Sequence, residues 1–381
     1  MDFDFTSEQT QLKDNVDRFI ASQYGSLEDR ERMRRLPGGY DEKAWAGYAE
    51  LGLLGMPFTE EDGGFGGGPV ETMITMEAIG RNLALEPYLS TGVLAAAAIR
   101  LGADAAQKEL LVPAIAEGAL RVSLACQEPQ ARYELANITT TATHDGDRFL
   151  LNGRKDLVLN GDTAGMFIVP ARTSGGSRDE SGVTLFLVSA DAPGVRITGY
   201  EAQDGGRLAD VTLAGVQAEP LGPVNGGFPI LERTVEAGIA AIAAEAVGSM
   251  EALHALTVDY LKTRKQFGVA IGSFQALQHK AVDMFLMIEQ ARSMAYYAAM
   301  MVEAEDANER RTALSAVKVQ INRSSRYVGQ TAVQLHGGIG MTMEYIGAHH
   351  FKRLAVIETQ FGDTAFHLAR VTAAGGLVAA A

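Results

Sequence analysis

Residues 260–284 read YLKTRKQFGVAIGSFQALQHKAVDM. A helical pattern runs into Arg264-Lys265-Gln266-Phe267-Gly268, breaks at a glycine-rich turn, and restarts at Ser273-Phe274-Gln275. A cation, an amide and an aromatic side by side between two long helices can be read in two ways. The stretch is an ordinary helical hairpin, or it is a surface that receives something anionic and flat. A planar guanidinium pairs with phosphate oxygens two at a time, so the second reading has a physical basis.

Outward from this point the chain shows three styles of periodicity. From residue 226 on, GIAAIAAEAVGSMEALHALTVDYLKTR, SFQALQHKAVDMFLMIEQARSMAYYAAMMVEAE and RRTALSAVKVQINRSSRYVGQTAVQLHGG are long helical runs. Small residues at helix spacing let such helices pack closely, which predicts a bundle over residues 226–381. Residues 1–120 are also helical: Thr6 or Ser7 can cap a first helix whose apolar Leu12, Val16, Phe19 and Ile20 recur at helix spacing. Residues 121–225 differ. Short β-branched runs such as GMFIVPART, GVTLFLVSA and ADVTLAGV, separated by Gly, Asn and Asp turns, predict an antiparallel barrel or sandwich. The fold class is therefore α+β and multidomain.

Composition removes several function classes. The chain has 381 residues, 47% hydrophobic and 21% charged, enough for a large core and two or three domains. A net charge of −14 argues against nucleic acid, whose backbone is bound by clustered Lys and Arg. Cys126 is the single cysteine, which leaves no disulfide framework and no thiol metal site. The neighbours His349 and His350 point to different helix faces and make a poor chelate, so no metal is expected. The start, MDFDFTSEQ, lacks a basic and apolar leader, and no apolar run reaches the roughly 20 residues of a membrane span. A soluble, cytoplasmic protein is the expectation. EEDGGFGGGPVE lacks the strand and the Gly-Lys-Ser/Thr of a phosphate loop and reads as a flexible loop. HGGIGMT, residues 336–342, follows a long helix, and its glycines allow a ligand close to the backbone, or simply end the helix.

Taken together, RKQFGVAIGSFQALQHKAVDM, QLHGGIGM, the SLACQEP turn and the FKR segment resemble the acyl-CoA dehydrogenase family over essentially the whole chain. Finer resemblance, in MDFDFTSEQ, WAGYAELGLLGMPFTEEDGGFGGGPVETM and MEALHALTVDYLKTRKQFG, is to the small subunit of pimeloyl-CoA dehydrogenase. The family resemblance implies an N-terminal helical domain, a middle β domain and a C-terminal four-helix bundle, with FAD between the β domain and the bundle. It matches Arg264 to the arginine at the FAD pyrophosphate, Phe267 to an aromatic against the cofactor, and Gln275 to an amide that bonds it. Gln334, Gly337 and Gly338 match a second subunit's contribution, Thr364 a cofactor contact, and Gln127 a flavin-side residue. The Trp and Thr that cover the flavin in relatives stand here as Leu157 and Leu159, and the glycine-rich segment after the turn as Gln130-Ala131-Arg132-Tyr133-Glu134.

The implied reaction removes a Cα proton and a Cβ hydride from an acyl-CoA, with electrons passing to an electron-transfer flavoprotein. The proton needs a carboxylate. The family's usual loop position falls on Gly362, and its other position, on the first bundle helix, near Gly238. Two replacements are expected: Glu245, two turns from Gly238 in the apolar AIAAEAVGSM, and Asp363, beside the loop position. Three functions stay open. The first is a homodimeric or tetrameric acyl-CoA dehydrogenase, with a dicarboxylyl-CoA such as pimeloyl-CoA as one substrate and Arg132 as a cation for it. The second is a non-catalytic small subunit completing the FAD site of a large subunit. The third is an oxygen-reacting flavin monooxygenase of the same fold.

Overall fold

The structure, a computed structural model, describes residues 5–146 and 148–376. The first helix, α1 (Ser7–Gln23), starts where the sequence asks it to: Thr6 Oγ1 accepts from Gln9 N at 3.2 Å, and Gln9 Oε1 accepts from Thr6 N at 3.1 Å. This reciprocal pair satisfies two amides that a helix start otherwise leaves open. Then come α2 (Leu27–Arg34), α3 (Glu42–Glu50), α4 (Pro69–Asn82), a π-helical stretch (Tyr88–Ala95) running into α5 (Ala96–Gly102), and α6 (Ala105–Ala116). Seven strands follow: β1 (Val122–Leu124), β2 (Thr141–Asp145), β3 (Arg148–Leu159), β4 (Met166–Arg172), β5 (Val183–Ser189), β6 (Val195–Glu201) and β7 (Arg207–Leu221). The remainder is α7 (Phe228–Thr263), a small hairpin of β8 (Lys265–Gln266) and β9 (Val269–Ala270), then α8 (Gln275–Met301), α9 (Ala307–His336), α10 (Ile346–Thr359) and α11 (Thr364–Ala373).

Packing divides these elements into two units. One gathers the residues up to Arg32, Pro69–Ala84 and the chain from Ile239 onward; the other holds Met33–Gly68 and Leu85–Gly238.

In the second unit the strands close into a ring, β4-β2-β3-β7-β5 and back to β4, with β1 on β4 and β6 on β7. Most pairs are antiparallel, as the sequence pattern predicts. The β1–β4 pair and the single β2–β4 contact, Thr141 opposite Arg172, run parallel. Ring closure leaves few open edges. Phe149, Leu151, Phe167, Val169, Phe186, Val211 and Val216 fill the interior, each side chain contributing on the order of 1.5–3 kcal/mol by leaving water. The glycine-rich residues expected as a flexible loop are instead bonded along the preceding turn. Gly64 N donates to Thr59 O at 2.8 Å, Phe65 N to Gly55 O at 3.1 Å, and Gly67 N to Met56 O at 2.8 Å. The reason is close backbone approach, which glycine alone permits there.

In the first unit α9 is central. Leu314, Val317, Ile321, Val328, Ala332 and Leu335 are buried at helix spacing, and α8, α10 and α11 all pack on it. α4 crosses α7 at backbone distance. A Cβ on Gly80 would lie 1.9 Å from Glu245 O, and one on Gly248 would lie 1.9 Å from Glu77 O. Arg81 closes this crossing, bonding Asp17 and Glu77 at 2.5 Å each and Glu251 at 2.9 Å. By length and composition α7 is apolar enough to cross a membrane, but 67% of its most apolar window is buried, as in a bundle helix.

The crossing makes a direct prediction. Gly80→Ala and Gly248→Ala each force the helices apart and lower stability by about 1–3 kcal/mol, read as a fall in Tm by thermal melting. A melting curve identical to the parent's contradicts the crossing.

Candidate active site

The interrupted stretch folds as a closed hairpin. Ile271 N donates to Arg264 O at 2.9 Å, so Arg264 stands at the base of the hairpin. Phe267 sits at its tip with φ +53 and an exposure of 91%, its ring 6.2 Å from that of Phe274. Gln275, the first residue of α8, is exposed beside Phe274. The structure thus brings Arg264, Phe267 and Gln275 onto one short loop. Among the described residues, the exposed Arg264 side chain has no hydrogen bond or ion pair.

A second group lies at the end of α9. Gln334, Gly337 and Gly338 are all exposed, and Gly337 turns with φ +63. Beneath them His336 is buried and held on both nitrogens. Burial lowers its pKa, so the ring is neutral; Nδ1–H donates to Ala332 O at 2.8 Å, and Nε2 accepts from Tyr345 OH at 2.8 Å. The same ring lies 4.7 Å from that of Tyr260, one turn before Arg264. This aromatic stack ties the end of α7 to the end of α9.

The third group surrounds Gly362, the loop position at which the resemblance leads one to expect the base. Gly362 has φ +126, and a Cβ there would meet His367 Nε2 at 2.3 Å. The loop is pinned from below by buried donors. Lys318 Nζ donates to Ile357 O at 2.8 Å and to Asn322 Oδ1 at 2.7 Å, Asn322 Nδ2 donates to Gly362 O at 3.4 Å, and His367 Nε2–H donates to Phe361 O at 3.0 Å. Burial brings the Lys318 amine down to about 7, with Glu358 and Asp363 pulling the other way. Burial, with Lys318 beside it, takes His367 down to about 3, so its ring is neutral. Sequence reasoning missed Lys318, although its place on the apolar stripe of α9, between Leu314 and Ile321, was a visible signal.

The expected carboxylates are both committed. Glu245, 4% exposed on α7, takes a two-pronged bond from Arg353 of α10 at 2.5 and 2.7 Å. Asp363 caps α11, its Oδ1 accepting from Phe366 N at 2.8 Å. Thr364, partly buried, is the first residue of that helix.

In the β unit, the turn with Gln127 is fixed by its neighbour. Glu128 and Lys155 are both out of solvent, 2.6 Å apart. Glu128 also accepts from Thr139 N and Gln130 Nε2 at 2.8 Å each, and Lys155 donates to Pro170 O at 2.7 Å. Burial works against both charges. The Lys155 ammonium, with hydrogen bonds, nevertheless holds the Glu128 carboxyl down at about 2, while burial lowers the Lys155 pKa. Asp156 N donates to Gln127 O at 2.9 Å, so the Gln127 turn lies against β3 where that strand bulges. There Leu157 takes φ +54 and is 46% exposed, an apolar side chain turned outward at a strained position. Cys126, next to Gln127, has its thiol pushed up to about 11 by burial, which disfavours the thiolate form.

These residues fit FAD. An unpartnered guanidinium, a bare aromatic and open glycine backbone suit a planar ring system carrying a diphosphate. Among the described residues no group of three His, Cys, Asp or Glu side chains could hold a metal.

Known proteins resemble the chain along its length. Sequence models of the acyl-CoA dehydrogenase N-terminal, middle and C-terminal domains match residues 6–119, 123–216 and 225–375. The probable acyl-CoA dehydrogenase YngJ of Bacillus subtilis is 32% identical over 91% of this chain and 92% of its own length. The structure of butyryl-CoA dehydrogenase from Megasphaera elsdenii superposes with a TM-score of 0.89 at 26% identity, covering 98% of this chain and 99% of that one. A variant of the Tcur3481–Tcur3483 steroid ACAD superposes with a TM-score of 0.87 at 29% identity, covering 96% and 97%.

The Glu128–Lys155 pair sets an acid limit. Glu128 falls from its ordinary 4.5 to about 2 on folding, so the pair stabilises above pH 4.5 and its contribution is lost as pH falls toward 2. Lys155→Met, leaving that carboxylate buried and alone, costs about 3–5 kcal/mol. Thermal melts between neutral and acid pH check both: the parent loses Tm on acidification more steeply than the variant, and equal slopes contradict the assignment.

Proposed function

The chain belongs to the acyl-CoA dehydrogenase family, and we propose that it is an FAD-dependent acyl-CoA dehydrogenase subunit whose proton-accepting carboxylate comes from a different chain. When bound, FAD takes up the hydride from Cβ of the acyl group. Arg264 neutralises the cofactor's diphosphate, Phe267 covers it, and Gln275 bonds it. Gln334, Gly337 and Gly338 serve the cofactor held by a neighbouring subunit. Gln127, on the turn fixed by the Glu128–Lys155 pair, is the flavin-side residue that the family resemblance implies.

One observation carries the reading of the base: Gly362, at the family's loop position, has φ +126 and its Cβ direction filled by His367. A glutamate cannot occupy that place without displacing a buried, doubly bonded imidazole. The other carboxylates are held in an ion pair and a helix cap. An assembly is further supported by α8, where Val282, Phe285 and Leu286 are 56%, 50% and 52% exposed at helix spacing. The similar Tcur3481–Tcur3483 structure bears two protein names, which supports unlike subunits. Transfer of electrons to an electron-transfer flavoprotein, and a dicarboxylyl-CoA such as pimeloyl-CoA as substrate, complete the proposal.

A second reading keeps the base in this chain. Glu245 is a buried carboxylate in a helix stretch otherwise made of Ala, Ile, Val and Gly, and it would act by leaving Arg353. Anaerobic mixing with acyl-CoA separates the two. The protein loaded with FAD and purified alone leaves its flavin oxidised, and adding a family member that has a glutamate in the loop restores reduction. Fast reduction by the protein alone, slowed about 10²–10⁴-fold by Glu245→Gln, overturns the proposal and assigns Glu245 as the base.

A further inference from the structure

Three serine hydroxyls are buried along α9, and two of them are bonded. Ser315 Oγ shares a hydrogen bond with His367 Nδ1 at 3.2 Å, and Ser324 Oγ donates to Met287 O at 2.9 Å. The third, Ser325, is 1% exposed, and among the described residues its Oγ has no hydrogen-bond partner. A hydroxyl inside a helix can bond the carbonyl one turn back, as Thr257 does to Leu253 O at 2.7 Å; that of Ser325 does not. A buried hydroxyl left bare is costly, so its surroundings matter.

Ser325 lines a cavity of about 260 Å³ between α9 and α10. Phe351, Leu354 and Ala355 of α10 form its carbon walls, and Arg326 and Glu358 flank it. Gly329 sets the close approach: a Cβ there would lie 2.8 Å from Phe351 Cδ2, so the ring packs directly on the backbone of α9. Gln330, exposed like Arg326, also lines the cavity, which therefore reaches the surface. Arg326 Nε donates to Glu358 Oε2 at 3.2 Å and Nη2 donates to Oε1, so the two charges satisfy each other. What remains is apolar surface, one bare hydroxyl and no net charge. A carboxylate entering here meets Glu358, and a cation meets Arg326.

We infer that this cavity binds a small neutral molecule with an apolar body and one hydroxyl group. The size fits, since a dry cavity of roughly 150 Å³ already takes benzene. The ligand's hydroxyl pairs with Ser325 Oγ while its body lies on Phe351, Leu354 and Ala355. The site shares no residue with the hairpin at Arg264 or with the Gln334–Gly338 group, and it stands on the helical unit alone. Glu358 also belongs to the turn of α10 whose carbonyls, Ile357 O and Glu358 O, accept from Lys318 Nζ at 2.8 and 3.4 Å. A molecule bound here braces the turn that leads to Gly362.

Saturation-transfer NMR titrations of the full chain loaded with FAD test this with phenol, toluene and benzoate. Phenol binds saturably, toluene about fivefold more weakly for want of the hydroxyl, and benzoate does not bind. Ser325→Ala removes no bond within the protein, so its Tm is not below the parent's, and it brings phenol down to the affinity of toluene. Ala355→Leu fills the cavity and abolishes binding of both; if that variant does not fold, Ser325→Ala decides alone. Failure of phenol to bind the parent, phenol affinity unchanged in Ser325→Ala, or benzoate binding as tightly as phenol overturns the inference.

Discussion

A lysine ammonium with no access to solvent, 2.6 Å from a glutamate carboxylate that is equally enclosed, holds the turn that carries Gln127 in place. Desolvating two charges is expensive, and a pair of well-packed apolar residues would often serve stability as well. What the pair gives is direction. Lys155 reaches the backbone of β4 through Pro170 O, and Glu128 gathers the amide and hydroxyl of Thr139 and the side chain of Gln130. Gln127, Arg132 and the bulge at Leu157 are all within a few residues of this knot.

The helical unit repeats the device with different partners. Lys318 is as buried as Lys155, but its ligands are backbone carbonyls at the end of α10 and the amide of Asn322. With His367 it fixes the connection through Gly362 into α11. In both units a buried cation has been accepted to make a surface loop rigid, consistent with a protein that must present fixed backbone to a ligand. The outward side of the hairpin is the opposite case. Arg264 and Phe267 carry charge and apolar area with nothing from the described residues upon them.

Much of this was legible in the chain. The cap at Thr6, the change of periodicity before β1, the hairpin between α7 and α8, and the helix ending at Gly337 each follow from local rules about capping, alternation and glycine. Long-range pairing was not legible. Arg353 lies 108 residues from Glu245, and no local pattern links them. The meeting of Gly80 with Gly248 is likewise invisible until α4 and α7 are placed. The glycines near residue 64 read as slack because composition cannot tell a loose loop from one pressed against its own backbone. The state of Gly362 depends on an imidazole five residues on, whose position Ser315 and Phe361 decide.

The account turns on the proposal that the Arg264 guanidinium pairs with the FAD diphosphate. Its most direct test is FAD affinity in Arg264→Ala, measured by flavin absorbance retained after gel filtration. Because that side chain is exposed and, among the described residues, makes no hydrogen bond or ion pair, circular dichroism and Tm stay those of the parent, while FAD binding weakens about tenfold or more. A variant that retains its flavin as tightly as the parent contradicts the account.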